Sequence, residues 1–497
     1  KKNFSKKDWL IIVFLITVYF LTRLINLDKF PIFTDEGIYI HWAKIAWHDA
    51  SLRFISLTDG KQPLQTWATI PLLKLLPNHP LFAGRLFSVT TGFISLIGIF
   101  SLLYYLFNKK TAYFGALFYI FNPYFLFYDR MALTDSAVNM AFIWILFFSI
   151  VLVKTTRLDI ALVFGLFGGF ALLTKSSVQL FIVLAAFSPL LIFNEIKKEK
   201  LRLVNFYFLY LIAFCLSFLI YNVQRLSPYM HYIGIKNTTF LMTKEEFLQQ
   251  PFALFWNNFK EVWIDIVWES GFLLPVFSAL GYFLILKKDK KLFFYLSIWF
   301  FIPFWIISSI SKVIFPRYLI FFASLLIIFA SFFFSQLKNK TLNISLLLIL
   351  LINLFIFDYK ILFDFKNIIF PPVDRGQYIE GPPAGWGVKE IIDYSIKKSK
   401  EKPVVILAEG NFGLIADMLQ ASLPRDNHRV SIVGYWPLDL KEIKKHQNDR
   451  DKKFVYAVFP HRKEFPADWP INLIKKYNKP GKKSAIYFFE IRKNEIK

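Results

Sequence analysis

Two adjacent carboxylates near the start of the chain are well suited to acid–base chemistry. Asp35 and Glu36 follow Pro31 after the first long apolar run, which places them at a membrane surface, where an ion is costly unless it is paired or hydrated. A carboxylate there could take a proton from an acceptor. The alternative is structural, because Thr34 or Asp35 could cap a helix and Glu36 could favour its positive end. Both roles can hold together, since a cap fixes the carboxylate in place.

Basic residues lie at three other breaks between apolar runs. Lys61 belongs to the turn DGKQPL, Lys175 ends the run LLTK, and Arg317 belongs to FPRY. Lys61 could meet a phosphate as a point charge, but a solvated turn is the simpler interpretation. Lys175 and Arg317 lie where basic residues are unusual, and either could be a side chain that snorkels to the membrane surface. Their position beside the acidic segments favours a shared role.

A second acidic segment, YDRMALTD, holds Asp129, Arg130 and Asp135. The structural interpretation is an Asp129–Arg130 pair that closes a tight turn and a helix that Asp135 helps to cap. The segment lies between two apolar runs, on the predicted side of Asp35. It is therefore a candidate part of the same site.

Membrane helices must position these residues, because the chain is too apolar for a soluble fold. Hydrophobic residues make up 56% of 497 residues, the mean hydropathy is +0.45, and there are 60 phenylalanines. Only helices or closed barrels satisfy their backbone in lipid, and the runs lack the alternation of barrel strands. We therefore predict an α-helical polytopic membrane protein with about eleven spans. The predicted spans are residues 9–27, 80–107, 111–128, 134–153, 158–174, 177–193, 204–221, 271–286, 292–308, 318–336 and 341–358.

The distribution of lysine and arginine predicts the orientation. Much of the net charge of +24 lies in short clusters between apolar runs, which is typical of cytoplasmic loops and argues against nucleic-acid binding. We expect a multi-pass cell-membrane protein with a cytoplasmic N-terminus and an extracytoplasmic C-terminal domain. The clusters assigned to the inside are residues 109–110, 154–157, 197–202, 287–291 and 338–340.

Three segments are then expected outside the membrane. Residues from about 28 to 79 form the predicted catalytic loop, and about 222–270 is expected to lie along the interface. Residues 1–358 are predicted to form the transmembrane module and residues 359–497 a small soluble α/β domain. Within that domain, strands are expected at 404–408, 453–459 and 484–491, and a helix at 411–423.

The order of the motifs resembles that of the GT-C membrane glycosyltransferases, in particular protein O-mannosyltransferases and bacterial aminoarabinose (lipid A) transferases. The resemblance covers about the first 340 residues. It rests on DEGIY in the first outer segment, the KQPL turn, GRL at 84–86, the two acidic positions of the YDRMALTD segment, LTK and PRY. The turn differs from the commoner Lys-Pro-Pro or Glu-Lys-Pro forms of this family.

The resemblance implies a GT-C-like fold, a polyprenyl-phosphate sugar donor and an acceptor that is a protein, lipid or glycan. It places the catalytic acid at Asp35, with Glu36 as the second candidate, and matches Lys175 and Arg317 to positions that face the carrier phosphate. Arg130 and Lys61 are further candidates for the phosphate, and Asp129, Asp135 and Tyr39 are further site candidates. No cofactor is expected, although Asp35 with Glu36, or His41 with His48, could hold a divalent ion.

The chemistry of the residues agrees with this implication. A phosphate is a good leaving group, so the protein must neutralise the departing charge and deprotonate the acceptor. One base and no evident nucleophilic carboxylate favour single displacement with inversion. The alternative is a transporter or lipid flippase, but its substrate site would break helices near mid-membrane, and no internal repeat is evident. A third possibility is a binding or assembly protein whose outer domain does the work.

Overall fold

The computed structural model describes residues 4–196, 199–410 and 412–493, and shows a large helical part followed by a small mixed sheet. The helices of the first part are α1 Lys6–Leu24, α2 Thr34–His48, α3 Leu64–Leu75, α4 Pro80–Leu106, α5 Lys109–Phe121, α6 Pro123–Tyr128, α7 Asp135–Thr155, α8 Leu158–Leu172, α9 Val178–Ala185, α10 Phe193–Ile196, α11 Lys200–Tyr221, α12 Tyr232–Phe240, α13 Lys244–Gln249, α14 Phe255–Glu269, α15 Leu273–Lys288, α16 Lys290–Ile310, α17 Ile320–Gln336 and α18 Lys340–Phe363. The later elements are α19 Pro372–Arg375, α20 Val388–Ser399, β1 Val404–Glu409, α21 Ile415–Ser422, β2 Val430–Tyr435, α22 Leu440–Gln447, β3 Phe454–Phe459, β4 Ile471–Asn478 and β5 Ala485–Ile491.

Within the described residues, seven helical stretches are long and apolar enough to span a membrane, or eight if α14 and α15, bent by 105°, form one span. The seven are Pro80–Leu106, Asp135–Thr155, Val178–Glu195, Lys200–Leu226, Lys290–Ile310, Pro316–Gln336 and Lys340–Phe363. The polytopic helical class is thus confirmed. Every one of the predicted stretches is helical, but α1 carries several charged residues, α8 is short, and α5 is separated from α6 at Asn122. The count of eleven stays a prediction.

The middle of the helical bundle is formed by α4, α7 and α17. Pro316–Gln336 is 83% buried inside the protein and Asp135–Thr155 is 78% buried, whereas Lys200–Leu226 is only 22% buried. A helix that is apolar all round, such as α17, is expected in the interior of a bundle, whereas α11 presents its apolar side chains outward, as a lipid-facing helix does. The central helices thus form a rigid frame for the outer segments.

The basic clusters that the sequence assigned to the inside meet at one face of the bundle. Lys109 Nζ lies 2.9 Å from Asp8 Oδ2 near the N-terminus, Lys110 Nζ donates to the Ser335 carbonyl, and Arg202 donates to the Lys154 carbonyl. At the opposite face, Asn26 Nδ2 after α1 donates to the Leu362 carbonyl at the end of α18 (3.0 Å). The acidic segments therefore lie at the face away from these basic clusters. Lys197 and Lys198 of the third cluster lie outside the described residues.

The segment after α18 contains a five-stranded sheet with the order β2-β1-β3-β5-β4. β1 is parallel to β2 and β3, whereas β5 is antiparallel to β3 and β4. The predicted strands correspond to β1, β3 and β5, and the predicted helix to α21, although its first residue, Asn411, is outside the described residues. The small α/β domain is confirmed, and the sequence missed β2, β4, α20 and α22.

The α/β domain packs directly on α2. The His41 ring lies 2.6 Å from Asp417 Oδ1 of α21, and Lys44 Nζ donates to the carbonyls of Gln420, Ala421 and Leu423. Three acceptors match the three protons of an ammonium group at the negative end of α21. Gly37 allows the close approach, because a Cβ there would lie 2.9 Å from the backbone nitrogen of Met418.

Candidate active site

A cavity of about 810 Å³ opens at the face away from the basic clusters, between the membrane helices, α2 and the α/β domain. Six of the predicted site residues line it together: Asp35, Tyr39, Lys61, Asp135, Lys175 and Arg317. They come from the first outer segment, the start of α7, the loop after α8 and the turn before α17. Residues up to 282 positions apart in sequence thus share one site.

Asp35 lies in the first turn of α2 with its carboxylate in the cavity. The N-cap position is Phe33, with no side-chain cap, and the Phe33 N–H donates to Glu36 Oε2 (2.9 Å). The structural interpretation that Thr34 or Asp35 caps the helix is therefore wrong. Glu36 fills that role at the backbone of Phe33, and the Asp35 carboxylate is left for other partners.

Two cations hold the Asp35 carboxylate, which is 25% exposed. Arg317 Nη2 lies 3.1 Å from Oδ2, and Lys61 Nζ lies 3.5 Å from Oδ1. Burial disfavours the charged carboxylate, but Lys61 and Arg317, with a smaller contribution from Lys175, outweigh it and hold the pKa of Asp35 below its ordinary value. The group is therefore a carboxylate at neutral pH, and it can accept a proton.

The remaining charges in the cavity are also arranged in pairs. Lys175 Nζ lies 2.8 Å from Asp135 Oδ1 and 3.9 Å from the centre of the Tyr318 ring. Lys236 Nζ lies 2.7 Å from Asp59 Oδ1. The cavity thus contains four cations and three carboxylates, which leaves one net positive charge. They are Lys61, Lys175, Lys236 and Arg317 against Asp35, Asp59 and Asp135.

Aromatic side chains surround these charges. The Lys61 ammonium lies over the ring of Tyr39 at 5.1 Å, and the Arg317 guanidinium lies over Phe315 at 4.5 Å. Burial raises the pKa of Tyr39 to about 12, so its hydroxyl stays protonated and can donate a hydrogen bond. The cavity is also lined by apolar side chains, among them Phe181 and Ile314. It therefore offers charged groups for an anion and apolar surface for a hydrocarbon chain.

Glu36 is not in the cavity. Its two oxygens accept from Arg85 Nε and Nη2, both at 2.8 Å, and Oε1 also accepts the Ala132 N–H at 2.7 Å. Both side chains of this ion pair are fully buried. Arg85 also donates to the Leu27 and Phe30 carbonyls. Glu36 therefore ties the start of α2 to α4 and to the loop before α7.

Asp129 and Arg130 also lie outside the cavity. Arg130 Nη1 donates to the carbonyls of Thr22 and Arg23, and Asp129 Oδ2 lies 3.4 Å from Arg23 Nη2 in a fully buried pair. Asp129 also accepts from Ser136 Oγ at 2.7 Å. The Asp129–Arg130 pair that the sequence suggested is not formed, because both side chains turn to the end of α1. They fix the loop that carries Asp135.

Several residues of the cavity were not predicted from sequence. Asp59 and Gln62 flank Lys61, so their proximity to it was the available signal, and Gln62 Nε2 donates to Ser176 Oγ (2.8 Å). Lys236 lies in the segment expected along the interface, where no pattern marked it. Gln377 follows α19 and accepts from Arg317 Nη1 at 3.1 Å. The α/β segment thus contributes directly to the site.

The two histidines considered for a metal are far from forming one site. His41 faces Asp417 of α21, whereas His48 ends α2, where it is exposed and stacks on Trp47. In the part of the chain that the structure describes, no three His, Cys, Asp or Glu side chains converge as metal ligands.

The chain combines a polytopic helical bundle, a charged cavity at one face and a small mixed sheet that contributes to that cavity. Residues 61–221, about a third of the chain, match the family model described as dolichyl-phosphate-mannose-protein mannosyltransferase. A search of curated protein sequences gave no significant match. The matched region contains Lys61, Asp135 and Lys175 of the cavity.

Solved structures share the fold over nearly the whole chain. ArnT from Cupriavidus metallidurans bound to undecaprenyl phosphate superposes with a TM-score of 0.62 at 12% identity, covering 97% of this chain and 98% of that one. The oligosaccharyltransferase of Archaeoglobus fulgidus gives 0.56 at 10% identity, covering 92% and 70%. Its complex with an inhibitory peptide and a dolichol-phosphate, as AglB, gives 0.55 at 11% identity, with the same coverage. The chain thus shares its fold with these two proteins, and about a third of it matches a mannosyltransferase family model.

Proposed function

We propose that this enzyme moves a sugar from a polyprenyl-phosphate donor to an acceptor hydroxyl or amine at the extracytoplasmic face, with Asp35 as the base. The observation that carries the proposal is the carboxylate of Asp35 held between Arg317 and Lys61 in a cavity that is also lined by apolar side chains. A polyprenyl-phosphate sugar has the matching parts, an anion and a hydrocarbon chain. Structurally similar proteins were solved with undecaprenyl phosphate and with a dolichol-phosphate.

The charges of the cavity suit a phosphodiester. One net positive charge remains among its charged side chains, and a sugar-linked lipid phosphate carries one negative charge. Arg317 can offer a bidentate contact to phosphate oxygens, whereas Lys61 and Lys175 act as point charges. When the bond to the sugar breaks, the phosphate gains a second negative charge. The paired cations stand where they would stabilise that charge.

Donor binding would also change Asp35. A phosphate that takes contacts from Arg317 and Lys61 weakens their hold on the carboxylate, so the pKa of Asp35 rises toward its ordinary value and the group becomes a stronger base. Asp35 is thus the stronger base when the donor is bound. Because Asp35 is a weak base without the donor, proton transfer is favoured only in the loaded site, where the acceptor competes with water for the sugar.

The reaction is a single displacement. The acceptor oxygen or nitrogen bonds to the anomeric carbon, the bond from that carbon to the phosphate oxygen breaks, and its electron pair leaves with the phosphate. The acceptor proton passes to Asp35. Asp35 takes the role of base by the family resemblance, whereas Asp59 and Asp135 hold Lys236 and Lys175 in place, and this mechanism uses no carboxylate as nucleophile. The sugar is therefore transferred with inversion.

Asp35→Asn tests the base. Asparagine keeps the size of the side chain and an oxygen for Arg317 and Lys61, but it cannot take a proton at neutral pH. We expect transfer to fall by about a hundredfold or more, with expression and thermal stability nearly unchanged. The measurement is release of polyprenyl phosphate in membranes given polyprenyl-phosphate mannose, glucose or aminoarabinose in parallel.

Asp59→Asn is the matched control, because it removes a carboxylate of the same size that also pairs with Lys61 (3.6 Å). Its loss should be much smaller. Glu36→Gln is unsuitable as a silent control, since it leaves Arg85 buried without its anion, which costs about 3–5 kcal/mol. If Asp35→Asn transfers sugar at a near-normal rate, Asp35 is not the base.

A further inference from the structure

A second cavity, of about 830 Å³, lies between the α/β domain and the outer ends of the membrane helices. It shares no lining residue with the first cavity. The segment Gly376–Glu380, a short π-helix, separates the two. Gly376 and Glu380 line the second cavity, whereas Gln377 lines the first.

The second cavity is strongly basic. Its walls contain six lysine and arginine side chains and a single carboxylate, Glu380. Arg375 and Lys483, both 2.6 Å from Glu380, neutralise that carboxylate. Arg462 is held by Glu409 and Asp439 outside the cavity. The three other cations form no ion pair within residues 4–196, 199–410 and 412–493, and they are Lys463, Lys476 and Lys482.

The wall beside these lysines is fixed by a buried lysine. Lys479 is only 1% exposed, and its Nζ donates to the carbonyls of Gly381 (2.9 Å) and Pro382 (3.0 Å). Ser484 Oγ donates to the Glu380 carbonyl at 2.6 Å. The backbone that separates the two cavities is thus held in place, and the exposed lysines stand on a preformed surface.

Aromatic side chains line the second cavity beside its charged residues. Trp268 lies at the end of α14 and Phe370 lies soon after α18. The indole N–H of Trp268 is itself buried and has no acceptor in the described structure. Tryptophan and neighbouring aromatics at the outer ends of helices are typical of the head-group level of a bilayer.

We propose that the second cavity binds a phosphate-bearing anionic group at the outer membrane surface. The lysines supply the charge, and the volume lies in the range that holds a small ligand. A lipid head group and a free phosphate share this chemistry. The site is separate from the donor cavity, so its occupation does not depend on sugar transfer.

The test is calorimetric binding to the full-length protein in a nonionic detergent. The probes are inorganic phosphate, dihexanoyl phosphatidylglycerol and, as the zwitterionic comparison, dihexanoyl phosphatidylcholine. The variant Lys463→Gln/Lys476→Gln/Lys482→Gln should bind the anionic probes at least about tenfold more weakly. Tighter binding of phosphatidylglycerol than of phosphate assigns a lipid head group, and equal binding assigns the phosphate alone.

The matched control removes the same charge elsewhere on the domain. Lys441→Gln/Lys452→Gln/Lys475→Gln changes three exposed lysines outside the cavity, one of them the neighbour of Lys476 on β4. It should bind as the unmodified protein does. Arg317→Gln should retain this binding as well, because it alters only the first cavity.

The proposal is overturned if the first triple variant, folded by thermal melting, binds both anionic probes within twofold of the unmodified protein. An equal loss in the control triple variant, or equal affinity for phosphatidylcholine, would show a general charge effect and would overturn it too. Loss of binding in Arg317→Gln alone would assign the signal to the first cavity.

Discussion

At the scale of single residues, Asp35 and Glu36 are neighbours with opposite environments. Glu36 is fully buried in a bidentate pair with Arg85, whereas Asp35 faces the cavity between two cations. Sequence reasoning ranked Asp35 first through a resemblance, and it could not separate the pair by chemistry. Their separation depends on helical geometry, because adjacent positions on a helix point about 100° apart, and on Arg85, which is 49 positions away.

The pH dependence of transfer should report the cations around Asp35. The carboxylate is the active form, so activity is lost as the pH falls through its pKa, which Lys61 and Arg317 hold below the ordinary value of about 3.9. Lys61→Gln should raise that pKa, and the acid limb of kcat/KM for the donor should shift to higher pH. Lys236→Gln, which removes the partner of Asp59, should leave the limb in place. If the acid limb of kcat/KM does not shift in Lys61→Gln, Lys61 does not influence the pKa of the base.

At the scale of elements, α2 carries a site residue on one side and contacts the α/β domain on the other. Its first turn carries Asp35, and its opposite side receives α21 through His41, Lys44 and Gly37. The sequence predicted an outer segment here, because the apolar run ends, and offered a helix capped by Thr34 or Asp35 as one interpretation; the helix is present, but its N-cap is Phe33. It could not predict the contact with α21, since that contact joins residues some 376 positions apart.

Gly37→Ala should loosen this contact. A Cβ at this position would lie 2.9 Å from the Met418 nitrogen and 3.0 Å from its Cα, which are backbone atoms that cannot turn aside. We expect a loss of about 1–3 kcal/mol in stability, seen as a lower midpoint of thermal unfolding and faster proteolysis of the α/β domain. Gly234→Ala is the control, because its Cβ meets no atom within 4 Å. A Gly37→Ala protein as stable as the control would contradict the close packing.

The strands of the α/β domain also show that the sequence predicts local patterns better than tertiary contacts. β1, β3 and β5 lie inside the sheet, and their dense apolar runs identified them. The missed strands, β2 and β4, are the two edges, where one side lacks a partner and the sequence is more polar. β4 contains Lys475 and Lys476 and is mostly exposed. Its pairing with β5 is a tertiary contact that local patterning does not encode.

At the scale of the whole molecule, the bundle has a basic face and an opposite face that carries the Asp35 cavity. The sequence predicted this division because hydropathy and the placement of lysine depend on short segments. The shape of the cavity lay beyond such reasoning, since its walls come from the loop after α1, the bundle and the α/β domain. Gln377 and Phe412, both from beyond α18, line it beside Asp35.

The orientation is tested with single cysteines in a Cys215→Ser background. Lys441→Cys on the α/β domain and Lys287→Cys in the last turn of α15, within the basic cluster 287–291, are exposed positions. In intact cells, a membrane-impermeant maleimide should label the first and leave the second unlabelled, because the basic turn is expected in the cytoplasm. Labelling of Lys287→Cys before lysis would reverse the topology and place the site inside the cell.

The contact between the α/β domain and α2 limits which parts of this protein can be exchanged with those of a relative. Thr34 N–H donates to the Pro383 carbonyl and Gly385 N–H donates to the Ile32 carbonyl, so two distant stretches of chain are joined beside the Asp35 carboxylate. A chimaera that grafts only the region after α18 from a relative would bring a foreign α21 against Gly37 and Lys44. A viable graft would have to carry the first outer loop with it. We therefore expect the first outer segment and the α/β domain to be exchangeable only together, although they lie far apart in the sequence.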